Sequence, residues 1–288
     1  MRKGNGWILG NFGRDAGLIL FPGMFAVLLS YFGDEEEGSG LHFAYMILIL
    51  AIIDNGHVYS TLWRTLFRKS ERRAHAIYWA APLLVSVGMF LWIQSGSPYF
   101  WALIFYAAWF HHLRQYYGIS RWYQKLNGRF CAWTNRFLYA LLVLPFVLFH
   151  LRGAPDWFFR SRGEYFAVDW PEAFWIGLFA YIVLGVSWLI FELSLIVRGL
   201  REWNRLLSVF APGVLYGICL LLGDSLEEVF FPMLMAHGAQ YLAIIALSLR
   251  RLEPERYRGY AGVVTAIVAV VLVAGFMEFL VEDNYLID

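Results

Sequence analysis

The chain has 288 residues, of which 60% are hydrophobic and only 16% are charged, and its formal net charge at pH 7 is +1. Its mean hydropathy is +0.54. This composition excludes an ordinary soluble domain and gives no reason to expect a nucleic-acid partner, so we predict an all-α, polytopic membrane protein.

Apolar runs occupy almost the whole chain. A bilayer core needs about 20 mostly apolar residues per spanning helix. Nine such runs occur, near 16–32, 41–66, 75–94, 99–119, 132–150, 172–197, 206–222, 226–249 and 261–281. We therefore predict about nine transmembrane helices that form a single integral membrane domain over 1–288, in the cell membrane.

The distribution of cations predicts the orientation. With the N-terminus in the cytoplasm, the cytoplasmic segments hold all but three of the 23 Lys and Arg residues, and the exceptions are Arg152, Arg160 and Arg162. Cytoplasmic loops of membrane proteins carry such an excess. Nine spans then place the C-terminus outside.

Two early spans contain polar stripes. In DNGHVYSTLWR of the second span, Asp54, His57, Thr61 and Arg64 fall within an arc of about 80° on a helix. In HHLRQYYG of the fourth span, the side chains of 111, 112 and 115 share an arc of about 100°. Ionisable groups within spans are costly and tend to be functional.

Two later spans carry further polar groups. The sixth contains Glu192 in FELSLIV, and the eighth contains His237, Gln240 and Tyr241 in HGAQY. The even-numbered spans run in the same predicted direction, so depths can be compared. At about 1.5 Å per residue, the histidines of spans 2, 4 and 8 lie roughly 10 to 20 Å from the cytoplasmic boundary. We expect one intramembrane site in the cytoplasmic half of the bilayer.

This site favours metal binding, because neutral imidazole binds zinc, iron or copper strongly and a carboxylate suits iron or zinc. The predicted metal ligands are His57, His111, His112, His237 and Glu192. The predicted catalytic side chains around the metal are Asp54, Gln115, Gln240 and Tyr241. Asp54 lies one helical turn from His57 and serves either as a ligand or as its hydrogen-bond acceptor.

Other polar residues have different predicted roles. Arg64 and Arg114 fit a metal site less readily, because a metal repels cations, and we expect them to bind an anionic substrate headgroup or to neutralise the intramembrane carboxylates. His42, His75 and His150 lie at predicted helix ends, where we expect interfacial side chains that tolerate replacement. For any single intramembrane histidine, an interhelical hydrogen bond is the structural alternative.

The motifs DNGH, HHLRQYYG and HGAQY resemble those of the histidine-motif integral membrane iron oxygenases, which include the desaturases, the hydroxylases and the Brp/Blh-type carotene-cleaving proteins. The HxxxH and HxxHH clusters of the desaturases are absent here, so the resemblance implies a mononuclear iron site rather than a di-iron site. It also implies a membrane lipid or isoprenoid as substrate and an electron-donor protein as a possible partner.

Three classes of function are compatible with the sequence. The first is a metal-dependent membrane oxidoreductase that acts on a lipid or isoprenoid. The second is a proton-coupled transporter or carrier, in which Asp54, His57, Glu192 and His237 relay protons or bind a substrate. The third is a structural or assembly protein, whose polar stripes join helices or bind a partner subunit.

Overall fold

The computed structural model describes residues 6–32, 40–64, 75, 77–153 and 165–252. These residues form helices and connecting turns, and no β-strand occurs among them. The helices are, in chain order, α1 (Phe12–Asp15), a π-helical segment (Ala16–Leu20), α2 (Pro22–Phe32), α3 (Gly40–Met46), a second π-helical segment (Ile47–Asn55), α4 (Gly56–Arg64), α5 (Ile77–Gln94), α6 (Phe100–Leu126), α7 (Ala132–Leu151), α8 (Pro171–Val197), α9 (Trp203–Leu222) and α10 (Leu226–Leu252). The prediction of an all-α chain is confirmed for this part of the protein.

Several of these helices could cross a membrane. Five helical stretches of the described chain are long and apolar enough to do so: Phe43–Thr61, Ala132–Leu151, Pro171–Val197, Trp203–Leu222 and Leu226–Leu252. The pair Phe12–Leu20 and Pro22–Tyr31 adds a sixth if it crosses as one span bent by 56°. The total of nine spans and their orientation stay predictions. The last predicted span, 261–281, lies outside the described residues.

The described residues group into two compact units, and the boundary between them falls inside α10, after Met233. The first unit is Met1–Tyr31 with Pro98–Met233, and the second is Phe32–Ser97 with the chain from Leu234 onward. The single domain predicted for the whole chain stays a prediction.

Helix α9 is the most enclosed helix of the first unit. It packs against α6 and α7, and α7 packs in turn against α8. Its buried side chains include Val209, Tyr216 and Cys219, each 0% exposed. In contrast, most apolar side chains of α8 are exposed, and its buried residues are Trp188 and Glu192. An apolar helix with so little protein around it is expected where lipid takes the place of water.

A buried carboxylate anchors the N-terminal part of the first unit. Asp15, which is 0% exposed, accepts hydrogen bonds from the backbone N–H groups of Ile8 and Leu9, both at 2.8 Å. It also accepts a hydrogen bond of 2.7 Å from the Tyr123 hydroxyl of α6. Three donors compensate the loss of water around the charge. The carboxylate therefore fixes the turn before α1 against the C-terminal end of α6.

The second unit contains a long helix of mixed type. Phe43–Thr61 continues from α3 through the second π-helical segment into α4. The C-terminal part of α10 packs alongside it, through contacts described below. Wider π-helical turns are rare in proteins and frequently lie at functional sites, and here the nine π-helical residues end two positions before His57.

Candidate metal site

A buried pair of histidines lies in the second unit. Nε2 of His57, on α4, lies 3.2 Å from Nε2 of His237, on α10. The rings are nearly perpendicular, with centroids 4.7 Å apart and an interplanar angle of 89°. His57 is 8% exposed and His237 is 1% exposed. The structure thus brings together two of the histidines that the sequence predicts as metal ligands.

A second side-chain contact joins the two helices one turn after the histidine pair. Thr61 Oγ1 and the Tyr241 hydroxyl share a hydrogen bond of 2.8 Å. The Tyr241 ring also packs edge-on to the His57 ring, with centroids 5.7 Å apart. The face of α4 that carries His57 and Thr61 therefore meets the face of α10 that carries His237 and Tyr241.

A glycine lets the two helices approach closely. A Cβ atom at Gly238 would lie 2.5 Å from Ile53 Cγ2 and 2.6 Å from the Ile53 carbonyl oxygen. Both distances are far below van der Waals contact, so a larger residue would force the backbones apart. Because Gly238 follows His237 directly, its missing side chain helps to set the separation of the two imidazoles.

A carboxylate lies beside the Nδ1 atom of His57. Asp54 Oδ1 is 3.5 Å from this nitrogen, which is close enough for charge pairing but long for a hydrogen bond. A carboxylate at Nδ1 favours the tautomer that carries its proton on Nδ1. Nε2 of a neutral His57 is then the atom with the lone pair, and this is the atom that faces His237.

Two chemical arrangements account for nitrogens at this distance. In the first, His237 Nε2–H donates a hydrogen bond to His57 Nε2, and the pair shares one proton. In the second, both lone pairs bind one metal ion. With metal–nitrogen distances of about 2.1 Å, two ligand nitrogens lie about 3.0 Å apart on an octahedral ion and about 3.4 Å apart on a tetrahedral one. The observed 3.2 Å lies between these two values.

Other polar groups near the pair fix its surroundings. The Ser60 hydroxyl donates a hydrogen bond of 2.7 Å to the His57 carbonyl oxygen, and Ser60 is buried. Gln240, predicted as a catalytic side chain, is 3% exposed and lies three residues after His237 on the same helix. The sequence analysis did not single out Ser60, because a serine that bonds to a carbonyl of its own helix looks the same in the sequence as any other serine.

The predicted site residues of the fourth span lie on α6, in the first unit. His111 is exposed and His112 is half-buried, with ring centroids 6.4 Å apart. Gln115 is half-buried on the same helix. Arg114 is exposed, donates a hydrogen bond of 2.6 Å to the Tyr139 hydroxyl and lies over the Tyr117 ring. Their membership of the same site as His57 and His237 stays a prediction. The side chain of Arg64 lies outside the described part of the chain.

Glu192, a predicted metal ligand, has a different partner in the first unit. Its Oε2 atom lies 3.0 Å from Nη2 of Arg205, and the two side chains are 1% and 3% exposed. Arg205 also contacts Glu202 at 2.9 Å and Thr134 at 3.3 Å. A carboxylate paired with a guanidinium is a poor candidate for metal binding, so we leave Glu192 out of the ligand set. Its neutralising cation is Arg205, which the sequence did not suggest.

The histidines at helix ends differ from one another. His75 is exposed and packs edge-on against Tyr78, with centroids 5.2 Å apart. The side chain of His42 lies outside the described residues. His150 Nδ1 donates to the Phe146 carbonyl at 2.7 Å, and its Nε2 accepts a hydrogen bond of 2.8 Å from the Tyr106 hydroxyl. His150 is therefore held by two hydrogen bonds, which an alanine would lose, and its tolerance of replacement stays a prediction.

Comparison with protein-family profiles, with curated proteins and with solved structures finds no match to this chain. The resemblance to the membrane iron oxygenases therefore still depends on the motifs alone and stays a prediction.

Proposed function

We propose that His57 and His237 bind a transition-metal ion between two membrane-spanning segments, and that the protein is a metal-dependent oxidoreductase acting on a membrane lipid or isoprenoid. The observation that carries this proposal is the 3.2 Å separation of the two buried Nε2 atoms. Iron is the metal that the sequence motifs favour. His111 and His112 remain the predicted further ligands.

Three features support metal binding over a purely structural hydrogen bond. Both imidazoles are buried. Buried ionisable groups in membrane segments cost free energy, and they therefore occur mostly at functional sites. The Asp54 carboxylate lies beside Nδ1 of His57. Metal-binding histidines commonly have a hydrogen-bond acceptor at this second ring nitrogen. The glycine contact between Gly238 and Ile53 holds the helices at a fixed separation, as a preorganised ligand pair requires.

The location of the pair supports a lipid as the substrate. Phe43–Thr61 and Leu226–Leu252 are both apolar enough to cross a membrane, so a molecule that reaches the pair from the bilayer must be soluble in hydrocarbon. A redox metal then supplies one-electron or oxygen chemistry that the side chains alone cannot perform. Asp54 orients His57. One turn further along the helices, the hydrogen-bonded pair of Thr61 and Tyr241 covers the His57 ring.

Metal analysis of the purified protein tests the proposal. Protein prepared in mild detergent without chelators should contain one transition-metal ion per chain by elemental mass spectrometry. His57→Ala and His237→Ala should each lose that metal, whereas His75→Ala, the matched exposed histidine of the same unit, should keep it. Circular dichroism of each variant separates loss of metal from loss of fold. Metal-free wild-type protein, or equal metal in all four proteins, would end the metal proposal.

A second candidate function is a proton-coupled carrier. It is favoured by the continuous series Asp54, His57 and His237, in which successive titratable atoms are 3.5 Å and 3.2 Å apart. Such a series can pass a proton across several ångströms of membrane interior. Reconstituted vesicles with an internal pH dye distinguish the two functions. Proton uptake that is lost in His57→Ala, in protein that holds no metal, would favour the carrier.

A further inference from the structure

Two arginines of α6 lie over the same tyrosine ring, in the first unit. The guanidinium carbon of Arg114 is 4.8 Å from the centroid of the Tyr117 ring, and that of Arg121 is 6.0 Å from the same centroid. The two distances add up to about 11 Å, so the guanidinium carbons lie no farther apart than that. This arginine pair belongs to the first unit alone and does not depend on the histidine pair.

Aromatic side chains hold each guanidinium in place. Arg114 donates a hydrogen bond of 2.6 Å to the Tyr139 hydroxyl of α7, and the Tyr139 ring packs on Tyr117 with centroids 5.2 Å apart. Arg121 also lies over Phe130, with its guanidinium carbon 4.2 Å from the ring centroid. An arginine over an aromatic ring is stabilised electrostatically and keeps N–H groups at its edge for other acceptors. The protein itself therefore positions both guanidiniums.

A glycine leaves space between the two arginines. Arg114, Gly118 and Arg121 are spaced four and three residues apart, so they fall within an arc of about 60° on α6. A Cβ atom built at Gly118 meets no other atom within 4 Å, and Gly118 is exposed. The surface of α6 thus has an open notch, with Arg114 one turn before it and Arg121 one turn after it.

Neither arginine is neutralised by the part of the chain that the structure describes. No carboxylate of the described residues forms an ion pair with Arg114 or Arg121. Arg114 is exposed and Arg121 is half-buried, so both charges can be reached from outside the protein. Two neighbouring cations repel each other, and an anion between them offsets that repulsion. The arrangement therefore favours an anionic ligand.

The depth of the arginine pair indicates which anion is nearest. Helix α7 is apolar enough to cross a membrane, and its 20 residues measure about 30 Å, the thickness of a hydrocarbon core. Tyr139 lies seven residues after the first residue of α7, or about 10 Å along its axis. The hydroxyl that holds Arg114 is therefore in the outer part of that core, where an unneutralised charge is costly. Phe130 and Trp133, 60% and 55% exposed at the same end, are typical of a membrane interface.

We propose that Arg114 and Arg121 bind the phosphate of an anionic phospholipid, whose headgroup occupies the notch at Gly118 while its acyl chains lie in the bilayer. Guanidinium forks match phosphate oxygens through paired hydrogen bonds. A zwitterionic headgroup brings its own cation and suits two arginines less well. The predicted topology places this end of α7 on the cytoplasmic side, where the leaflet carries anionic lipids. The headgroup role expected of Arg114 thus involves Arg121, which the sequence pattern did not single out.

Native mass spectrometry of the full-length protein in mild detergent tests the proposal. The protein is titrated with dioleoyl phosphatidylglycerol and, separately, with dioleoyl phosphatidylcholine, which has the same acyl chains. We expect one phosphatidylglycerol to bind at least about tenfold more tightly than phosphatidylcholine, as charged hydrogen bonds allow. Millimolar inorganic phosphate should not displace it, because phosphate has no acyl chains. Equal binding of the two lipids, or displacement by free phosphate, would overturn the proposal.

Charge variants separate a specific site from general attraction to a cationic surface. Arg114→Gln and Arg121→Gln should each weaken phosphatidylglycerol binding about 10- to 100-fold, as expected for the loss of a charged hydrogen bond. Arg114→Lys keeps the charge but not the fork, and should recover only part of the affinity. Arg198→Gln removes an exposed charge at the end of α8 and should leave the affinity nearly unchanged. Equal weakening by all three glutamine variants would refute the proposal.

A change at the notch tests the site without altering a charge. Gly118→Leu fills the notch, where no other protein atom stands in the way, and should weaken phosphatidylglycerol binding. Ala108→Leu adds the same side chain at an exposed position about 15 Å away along α6, and should not. Circular dichroism and gel filtration check the fold of every variant. If Arg114→Gln does not fold, the comparison of these two leucine variants still decides, and equal binding by both would show that no headgroup occupies the notch.

Discussion

Replacing Gly238 with alanine perturbs the histidine pair without touching either histidine. The added Cβ would lie 2.6 Å from the Ile53 carbonyl oxygen, whereas ordinary contact begins at 3.4 Å. The difference requires the two helix backbones to separate by about 0.8 Å, because a backbone oxygen cannot rotate away as a side chain can. If the whole movement reaches the imidazoles, their Nε2–Nε2 distance rises from 3.2 Å to about 4.0 Å, beyond hydrogen-bonding range.

The energetic consequence has two opposing parts. Overpacking at a close helix contact costs about 1 to 3 kcal/mol, whereas glycine to alanine inside a helix gains about 0.5 to 1 kcal/mol. Gly88, inside α5 of the same unit, has nothing within 4 Å of its built Cβ, so Gly88→Ala should show the gain alone. We expect Gly238→Ala to be less stable than Gly88→Ala by about 1 to 3 kcal/mol.

The assay is unfolding in mild detergent by titration with sodium dodecyl sulfate, followed by helical circular dichroism. Metal content of the same preparations reports on the histidine pair, and Gly238→Ala should bind less metal than Gly88→Ala. If the two alanine variants have the same free energy of unfolding and the same metal content, the helices do not meet at Gly238, and the reasoning from close approach is wrong.

Three further predictions concern single contacts. Asp54→Asn should lower metal affinity about 10- to 100-fold, because metal-binding histidines depend on such hydrogen-bond partners. A competition titration with a chromophoric chelator measures this affinity, and an unchanged value would mean that the carboxylate does not support the site. Glu192→Ala should lower the free energy of unfolding by about 1.5 to 3 kcal/mol, because it removes a charged hydrogen bond to buried Arg205, which keeps its contact with Glu202. Glu192→Leu combined with Arg205→Met should be closer to wild type than the sum of the two single changes, and additive losses would refute a coupled pair. Thr61→Val and Tyr241→Phe should couple by about 0.6 to 1.7 kcal/mol in a double-mutant cycle, the range found for interhelical hydrogen bonds in membranes, and zero coupling would contradict the contact.

The sequence was sufficient to predict the all-α class of the described part of the chain, and it named both members of the histidine pair among five predicted metal ligands. Apolar runs of helix-spanning length determine the helical class, because a backbone in hydrocarbon must satisfy its own hydrogen bonds. The polar stripe through Asp54 and His57, and that through His237 and Tyr241, follow from the helical period alone. The structure brings these two stripes together through the contacts of His57 with His237 and of Thr61 with Tyr241.

Other features depended on how the helices pack. Glu192 is a residue type that binds metals, and it lies in a predicted membrane span. Its carboxylate nevertheless pairs with Arg205, at the start of the next helix. His150 lies at a helix end, yet it bonds to Tyr106 on a different helix. In each case the partner is set by the axial offset and rotation of neighbouring helices, which no local pattern encodes.

The sequence by itself thus determined which side chains share one face of a helix, because successive residues turn by a fixed angle of about 100°. Only the tertiary structure decided which faces meet and how closely. The approach at Gly238 depends on an Ile53 carbonyl far away in sequence, and the space for the Tyr181 hydroxyl depends on Gly217 of the next helix. Such contacts result from close packing between segments, and packing is a property of the pair of surfaces rather than of either one.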